Sequence, residues 1–318
     1  MSPLDTLKEF SLDNIPDLDV VVDGALLMLS TATLPEVEVS FKRPLVIGSG
    51  NAESTGRIIF RDTDAVFANE TNFEEVIERA GEIDGAVLIS ASGSKHSVNI
   101  AKRLEELQIP SILFTNNTDA PAGSFMEKEH VRVFPRNREP YTYNTSTYIS
   151  MILAKTKEDP HAILSHIESN NKVGVDLAHF NGFTFVLPPN ITLIAPMLRT
   201  KFDELFGTKL SPRFFTPEEI KHAKTIVPDE RELFIYVGME ELGWGEEGRK
   251  IELTLTNKET VGGSLTTELP GLAAALATCY HFIGQIQRAH PPYFKDNIES
   301  YCKDISNIFG QEISPIVE

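Results

Sequence analysis

Short apolar runs alternate with helical segments along the chain, and this alternation restricts the fold more than any other feature of the sequence. The apolar runs have the length and composition of buried strands, and the segments between them have the spacing of amphipathic helices. The runs lie at 44–48, 65–68, 85–90, 111–115, 131–134, 183–187, 233–237 and 251–255. This order is typical of parallel sheets with helices on both faces. We therefore predict an α/β protein with two doubly wound subdomains, over residues 1–170 and 171–318.

Helices are predicted before, between and after these runs. The first stretch is expected to be helical to about Val39, and a long apolar helix is expected at 269–287. A short helix has a strong start signal, because Thr216 can cap it, Pro217 suits its first position and Glu219 completes a capping box.

Acidic residues outnumber basic residues, and this restricts the partners. Asp and Glu total 46 against 29 Lys and Arg, so the 318-residue chain has a formal net charge of −17. A field of this sign repels nucleic acid and anionic membranes, and neither is predicted as a partner. A small anion can still bind where local backbone dipoles outweigh the global field.

The cysteine content argues against two kinds of stabilising site. Cys279 and Cys302 are too few for a disulfide framework or a cysteine-ligated metal site, and no metal is predicted.

No apolar run is long enough to cross a bilayer, and the first residues lack the basic and apolar regions of a secretory signal. We expect a cytoplasmic protein.

A loop rich in serine and glycine follows the clearest strand and leads into an amphipathic helix. The first amide groups of that helix have no partners within the helix, and its dipole adds positive potential at the loop. This arrangement suits an oxyanion such as phosphate, although a capped serine-rich turn has the same composition. The candidate phosphate-binding residues are Ser90, Ser92, Gly93, Ser94, Lys95 and Ser97.

A second loop, after the first strand, contributes the candidate binding residues Gly48, Ser49, Gly50 and Asn51. It lacks the third glycine and distal acid of a dinucleotide fingerprint, and the Gly-Lys-Ser/Thr of a Walker loop, so no nucleotide cofactor is predicted. Two strands that each end in such a loop indicate one shared pocket floor at the carboxyl ends of the strands.

Together these features resemble the sugar isomerase (SIS) domain family. The serine-rich loop matches the Ser-x-Ser-Gly signature of that family, and Thr115-Asn116 matches the Thr-Asn ending of its next strand. Glu139, ahead of Thr145 and a helix, resembles the segment that closes the first subdomain, and it is a candidate catalytic residue. The resemblance covers residues 20–160 and implies binding of a phosphorylated sugar through its phosphate.

The second half is similar to the second SIS subdomain in the isomerase part of glucosamine-6-phosphate synthase. Lys201-Phe-Asp-Glu204 resembles the Lys-x-x-Glu of that family, and Glu219-Ile-Lys-His222 resembles its Glu-Leu-Lys-His. The resemblance implies that Glu204 is the base between C1 and C2, Lys201 its charge partner and His222 the ring-opening group. From the residues alone, Lys201 and Glu204 also fit a solvated ion pair on a helix.

The chain departs from the family pattern at several places. Lys95 stands where the family often has threonine, Ala223 stands where it has glycine, and Pro188-Pro189-Asn190 replaces a glycine-rich turn. Lysine can still bind phosphate as a point charge.

The resemblance implies a phosphosugar isomerase, or a deaminase or deglycase of an amino-sugar phosphate, without a metal or an organic cofactor. Aldose–ketose isomerisation needs one base that moves a proton across an enediol, and a carboxylate with a raised pKa suits that role. The family also implies a homodimer. The alternative is a non-catalytic protein in which the same loop senses a sugar phosphate and regulates a partner.

Overall fold

The computed structural model describes residues 1–170, 173–255 and 271–318, and their contacts form two compact units. The first, here called the five-strand unit, comprises Ala32–Arg136 and Ser146–Lys157. The second, the four-strand unit, comprises Met1–Thr31, Asn137–Thr145 and Glu158–Glu318. This division differs from a boundary at residue 170, which stays a prediction.

Strands and helices follow one another in the predicted alternation. The strands are β1 Pro44–Ile47, β2 Val66–Ala68, β3 Gly85–Ile89, β4 Ser111–Thr115, β5 Val131–Val133, β6 Glu139–Pro140, β7 Gly182–Val186, β8 Ser211–Phe215, β9 Glu232–Val237, β10 Lys250–Leu253 and β11 Ile316–Val317. The α-helices are α1 Pro3–Glu9, α2 Leu18–Leu29, α3 Asn51–Ile59, α4 Phe73–Arg79, α5 His96–Glu106, α6 Thr145–Thr156, α7 Pro160–Asn170, α8 Ala195–Phe206, α9 Pro217–Lys221, α10 Leu272–Ala289 and α11 Tyr293–Phe309. The α/β prediction is confirmed. Across the described ranges, no helix combines the length and apolar character needed to span a membrane.

The sheet of the five-strand unit is parallel, with the strand order β2-β1-β3-β4-β5. Every residue of β1, β3 and β4 is buried, which explains why these strands are almost wholly apolar in sequence. The chain passes from β1 to β2 on one side and then returns to β3 on the other side of β1. Ligands of doubly wound sheets bind at such a switch point, outside the carboxyl ends of the strands. The two predicted binding loops follow β1 and β3, so both lie at this point.

The helices α3 and α5 pack closely on this sheet. Gly56 allows α3 to approach β1, because a Cβ atom at that position would lie 2.7 Å from Cγ1 of Val46. Ile100, Ala101 and Leu104 of α5 are buried in one core with residues of β1, β3 and β4. This packing sets the positions of the first helical turns, and of the loops before them, at the edge of the sheet.

The four-strand unit has a second parallel sheet, in the order β10-β9-β7-β8. Its winding repeats that of the first four strands of the other sheet. Its core is aromatic: Phe183 and Phe185 of β7 lie 5.7 and 5.9 Å, between ring centroids, from Phe202 of α8. Phe282 of α10 lies 6.3 Å from Phe185. These contacts anchor α8, which carries two predicted catalytic residues, on the sheet.

Within the same unit, α2 and α10 pack at very short range. Gly284 makes this contact possible, because a Cβ atom there would lie 2.0 Å from the backbone nitrogen of Asp19. Asp23 Oδ1 lies 3.7 Å from Nε2 of His281 across the contact. Burial, with smaller effects of Asp19 and Glu168, raises the pKa of Asp23 to about 7, and burial lowers the pKa of His281 to about 4. The two groups therefore meet as neutral groups between these pH values.

The N-terminal region and one edge strand differ from the sequence prediction. The helix predicted to about Val39 is wrong beyond Leu29, where α2 ends, and Pro35 stands in the irregular segment that follows. The sequence predicts no strand at β8, where Ser211, Pro212 and Arg213 leave no apolar run. Proline is tolerated there because β8 is at the edge of the sheet. The predicted start of the long helix at Leu269 lies outside the described residues.

Candidate functional site

The loop after β3 forms a compact turn of serine hydroxyl groups in the five-strand unit. The Oγ atoms of Ser92 and Ser94 are 2.7 Å apart, and the amide of Gly93 donates to Oγ of Ser90 at 3.2 Å. Ser97, in the first turn of α5, donates its hydroxyl to the carbonyl of Ser94 at 2.6 Å. Ser92 is exposed and Ser94 is half-buried, so a ligand from solvent can reach this pair of hydroxyl groups.

The segment after β4 supports this loop. The amide of Asn116 and the hydroxyl of Thr115 both donate to the carbonyl of Ala91 at 3.0 Å. Nδ2 of Asn117 donates to the carbonyl of Ser92, also at 3.0 Å. The Thr-Asn ending recognised in the sequence therefore has a structural task, which is to hold the backbone of the serine loop in one conformation.

Two residues of the loop have backbone angles that favour glycine. Gly93 has a φ of +60°, and a Cβ atom there would lie 2.4 Å from Cβ of Ala120. Lys95, directly before α5, has φ +57° and ψ −125°, close to the +55° and −116° of Gly50 before α3. A side chain in this conformation costs about 1–3 kcal/mol, and such strain clusters at functional sites. Burial also lowers the pKa of the Lys95 amine.

The loop after β1 is less suited to an anion. A Cβ atom at Gly48 would lie 2.7 Å from the backbone nitrogen of Glu53, so the loop packs tightly on α3. Oγ of Ser49 donates to Oε2 of Glu70 at 2.5 Å, which places a carboxylate beside this hydroxyl. Asn51 is buried, and Oδ1 of its side chain has no hydrogen-bond partner among the described residues. An acceptor of this kind needs a donor such as a hydroxyl group, not phosphate.

A buried ion pair stands on α8 in the four-strand unit. The fully buried Nζ of Lys201 donates to Oε2 of Glu204 at 2.5 Å and to the carbonyl of Thr142 at 2.6 Å. The pair is therefore not the solvated ion pair that the spacing also allows. Burial raises the pKa of the Glu204 carboxyl, and Lys201 opposes this effect. The Glu204 side chain keeps 24% of its surface exposed, so the carboxyl group can exchange a proton with a ligand.

Glu204 lines a cavity of about 640 Å³ within this unit. One wall is the end of α8 and the residues up to Lys209, another is the first half of α11, and Thr142 also contributes. This volume is in the range of pockets that bind small molecules. No three metal-ligating side chains lie together at this cavity or elsewhere in the part of the chain that the structure describes.

Glu139 and His222 lie at other places. Glu139 is buried in β6, and its Oε2 accepts the amide of Thr145 at 2.6 Å, so it caps the start of α6. His222 is exposed and ends α9, whose predicted capping box with Glu219 is present. Ala223 then has a φ of +59°, the left-handed conformation that favours the glycine of the family pattern. Neither predicted catalytic residue lines the cavity described above.

Several solved structures share this architecture. Tagatose-6-phosphate ketose/aldose isomerase from Escherichia coli is 13% identical, with a TM-score of 0.55 and 92% of each chain covered. The C-terminal domain of glucosamine-fructose-6-phosphate aminotransferase from Francisella tularensis is 11% identical, with a TM-score of 0.53 over 88% of this chain and 98% of that one. The chain has the fold of the phosphosugar isomerases.

Glucosamine-6-phosphate deaminase from Thermotoga maritima shares the phosphosugar isomerase fold as well. It is 14% identical, with a TM-score of 0.51 over 92% of this chain and 97% of that one. No family model matches the sequence, and no curated protein matches it. The resemblance to SIS domains is thus confirmed at the level of the fold.

One cavity wall, α11, is absent from the sequence prediction. Its buried residues Phe294, Ile298 and Cys302 have helical spacing, and Gly310 ends the helix with a φ of +65°. These signals would have identified the helix. No signal in the sequence places it beside Glu204, because that proximity arises from the packing of elements about 90 residues apart.

Proposed function

We propose that this protein is a phosphosugar isomerase, which interconverts an aldose phosphate and its ketose isomer. The observation that carries the proposal is the position of Glu204. Its carboxyl group has a raised pKa, accepts a hydrogen bond from the buried Lys201 and lines a cavity large enough for a small molecule. The fold supports this assignment, because proteins named for a tagatose 6-phosphate isomerase and a glucosamine 6-phosphate deaminase share it.

In this proposal the phosphate group binds at the serine loop. Ser92 and Ser94 offer two hydroxyl groups 2.7 Å apart, and the first turn of α5 adds amide donors and positive potential. Lys95 adds a positive charge at the same turn.

Glu204 carries out the proton transfers. As a carboxylate it removes the proton from C2 of the open-chain aldose while O1 gains a proton, and an enediol forms. It then returns the proton to C1 while O2 loses one, which completes the ketose. The sequence of steps balances without an oxidant or a reductant. If the sugar carries an amino group, the same transfers form an imine, and addition of water then releases the amine and leaves the sugar carbonyl, as in a deaminase or deglycase.

His222 opens the sugar ring in this proposal, and the protein acts as a cytoplasmic homodimer. His222 directly follows α9 and is exposed, which leaves its imidazole accessible to a second chain. A neutral imidazole has one ring nitrogen that donates a proton and one that accepts, so it can serve both proton transfers of ring opening.

A non-catalytic sugar-phosphate sensor is the second candidate. This candidate is supported by the positions of the predicted acid–base groups. Glu139 caps a helix and His222 is not among the cavity residues, so Glu204 is the one group of the three that lines the cavity. The same loop would then bind the ligand, and no proton transfer would follow.

Binding and proton exchange separate the two candidates. Fructose 6-phosphate, tagatose 6-phosphate and glucosamine 6-phosphate are titrated by calorimetry, and each ligand that binds is followed by NMR in heavy water. An isomerase incorporates deuterium at C1 or C2. We expect Glu204→Gln to bind the sugar and to exchange at least about 100-fold more slowly, since general base catalysis contributes that much. Binding without exchange in the wild type identifies the sensor.

Two control variants locate the effects. Glu299→Gln changes an exposed carboxylate of α11 that is not part of the cavity, and it should leave exchange unchanged. Ser92→Ala combined with Ser94→Ala should weaken binding about 10- to 100-fold, whereas Ser124→Ala, whose hydroxyl bonds a local carbonyl, should not. The proposal fails if the wild type binds none of the sugar phosphates.

A further inference from the structure

One face of α11 presents polar and aromatic side chains to the Glu204 cavity. Tyr293, Asn297 and Tyr301 are spaced four residues apart, so they form one stripe along the helix, and all three line the cavity. The buried face of the same helix holds Phe294 and Ile298 against the protein. The helix is therefore anchored on one side and leaves this stripe at the cavity.

Tyr301 and Asn297 are the members of the stripe that a ligand can reach. Tyr301 is 51% exposed, so its ring can be reached from solvent. Asn297 is exposed and donates from Nδ2 to the carbonyl of Tyr293 at 2.7 Å, which engages its amide group. A ligand hydroxyl would be bound through its Oδ1 atom.

The stripe lies near the reacting carboxyl group. Tyr141 is half-buried, and burial raises its pKa, with smaller electrostatic effects from Tyr301, Cys302 and Glu204. The helices α8 and α11 pack against each other, and Glu204 and the three residues of the stripe line the same cavity. A ligand that enters this cavity and contacts Glu204 can therefore contact the stripe as well.

We propose that Tyr301 and Asn297 bind the sugar part of the substrate and select it by its hydroxyl groups, a role that rests on the proposed isomerase function. The ring of Tyr301 covers the apolar C–H face of the sugar, and Oδ1 of Asn297 accepts a hydrogen bond from a sugar hydroxyl group. Both residues recognise the sugar part alone, so affinity for inorganic phosphate should not depend on α11.

Calorimetry with two probes tests this role. The sugar phosphate that binds most tightly contains the sugar part that the stripe would recognise, and inorganic phosphate lacks it. Tyr301→Ala should weaken sugar-phosphate binding about tenfold, which is about 1.4 kcal/mol, and should leave phosphate binding unchanged. Tyr301→Phe keeps the ring and should retain most of the affinity. Asn297→Ala should change the ranking of sugars that differ in one hydroxyl group.

The outcomes separate the two proposals. Ile308→Ala is the matched control, because Ile308 is a 77% exposed residue of the same helix outside the cavity. If the wild type binds a sugar phosphate and both Tyr301→Ala and Asn297→Ala bind it as the control does, the role of α11 is refuted and the isomerase proposal stands. If the wild type binds phosphate but no sugar phosphate, both proposals are refuted. Equal losses of phosphate and sugar-phosphate affinity in Tyr301→Ala also refute a role of Tyr301 in recognition of the sugar part.

Discussion

Nζ of Lys201 lies 2.5 Å from Oε2 of Glu204, and the same ammonium group donates to the carbonyl of Thr142 at 2.6 Å. The lysine has no exposed surface, whereas the glutamate side chain keeps 24%. The buried cation thus orients the carboxyl group and offsets part of its desolvation. The carboxyl group remains accessible from the cavity, which is the arrangement that a proton-transferring base requires.

Lys201→Met should move the acid limb of the pH–activity profile to higher pH. Burial raises the pKa of Glu204 above its ordinary 4.5, so the wild-type limb is expected above that value. Lys201 lowers this pKa, and its removal leaves the effect of burial unopposed. The measurement is kcat/KM against pH, with Lys201→Arg as the variant that keeps the charge. An acid limb in Lys201→Met that coincides with the wild type contradicts the role of the pair.

Lys95→Gly should stabilise the fold and weaken phosphate binding at the same time. Glycine adopts φ +57° and ψ −125° without the strain of a side chain, so the free energy of unfolding should rise by about 1–2 kcal/mol. Lys95→Ala removes the charge and keeps the strain, so it should weaken phosphate binding without that gain. Urea unfolding and phosphate titration measure the two effects. Equal stability of the two variants would rule out strain at this position.

Gly93→Ala should destabilise the protein more than Gly81→Ala does. Both glycines have positive φ values, +60° and +69°, so each substitution costs about 1 kcal/mol from backbone conformation. A Cβ atom at Gly93 also lies 2.4 Å from Cβ of Ala120, whereas no described atom is within 4 Å at Gly81. We expect a further loss of about 1–3 kcal/mol for Gly93→Ala in urea unfolding. Similar losses for the two variants would show that the loop can move away from Ala120.

The free energy of unfolding of Asp23→Asn should increase relative to that of the wild type as the pH rises. The pKa of Asp23 is about 7 in the folded protein against an ordinary 3.8, so its stabilising contribution is complete below 3.8 and is lost as the pH rises through about 7. The variant lacks this loss, so the difference in free energy of unfolding between variant and wild type should shift by up to about 4 kcal/mol in favour of the variant between about pH 4 and about pH 8.

Unfolding by urea at several pH values measures the difference between the two proteins. The charged and titratable neighbours of Asp23 are the same in the wild type and the variant, so the comparison isolates Asp23. These neighbours are Asp19, Glu168, Arg288 and His281. A difference that is constant with pH would mean that Asp23 is not protonated in the folded state near neutrality.

Local sequence was sufficient to predict an element where burial or a cap between nearby residues decides its structure. The strands β1, β3 and β4 are buried along their whole length, so their apolar character identifies them. The capping box of Thr216 and Glu219 involves residues three apart, and it forms as predicted. The strand β8 escaped prediction because Pro212 is acceptable at a sheet edge, and the sequence does not reveal which strand will be at an edge.

The sequence by itself determined the α/β fold and the two loops at the switch point of the five-strand sheet, because the periods of helices and strands and the turn residues after each strand are local properties. The tertiary structure alone decided whether Lys201 and Glu204 are a solvated or a buried pair, and that α11 lines the cavity of Glu204. Burial depends on which distant elements cover a residue, and the pKa of a carboxyl group follows from that burial.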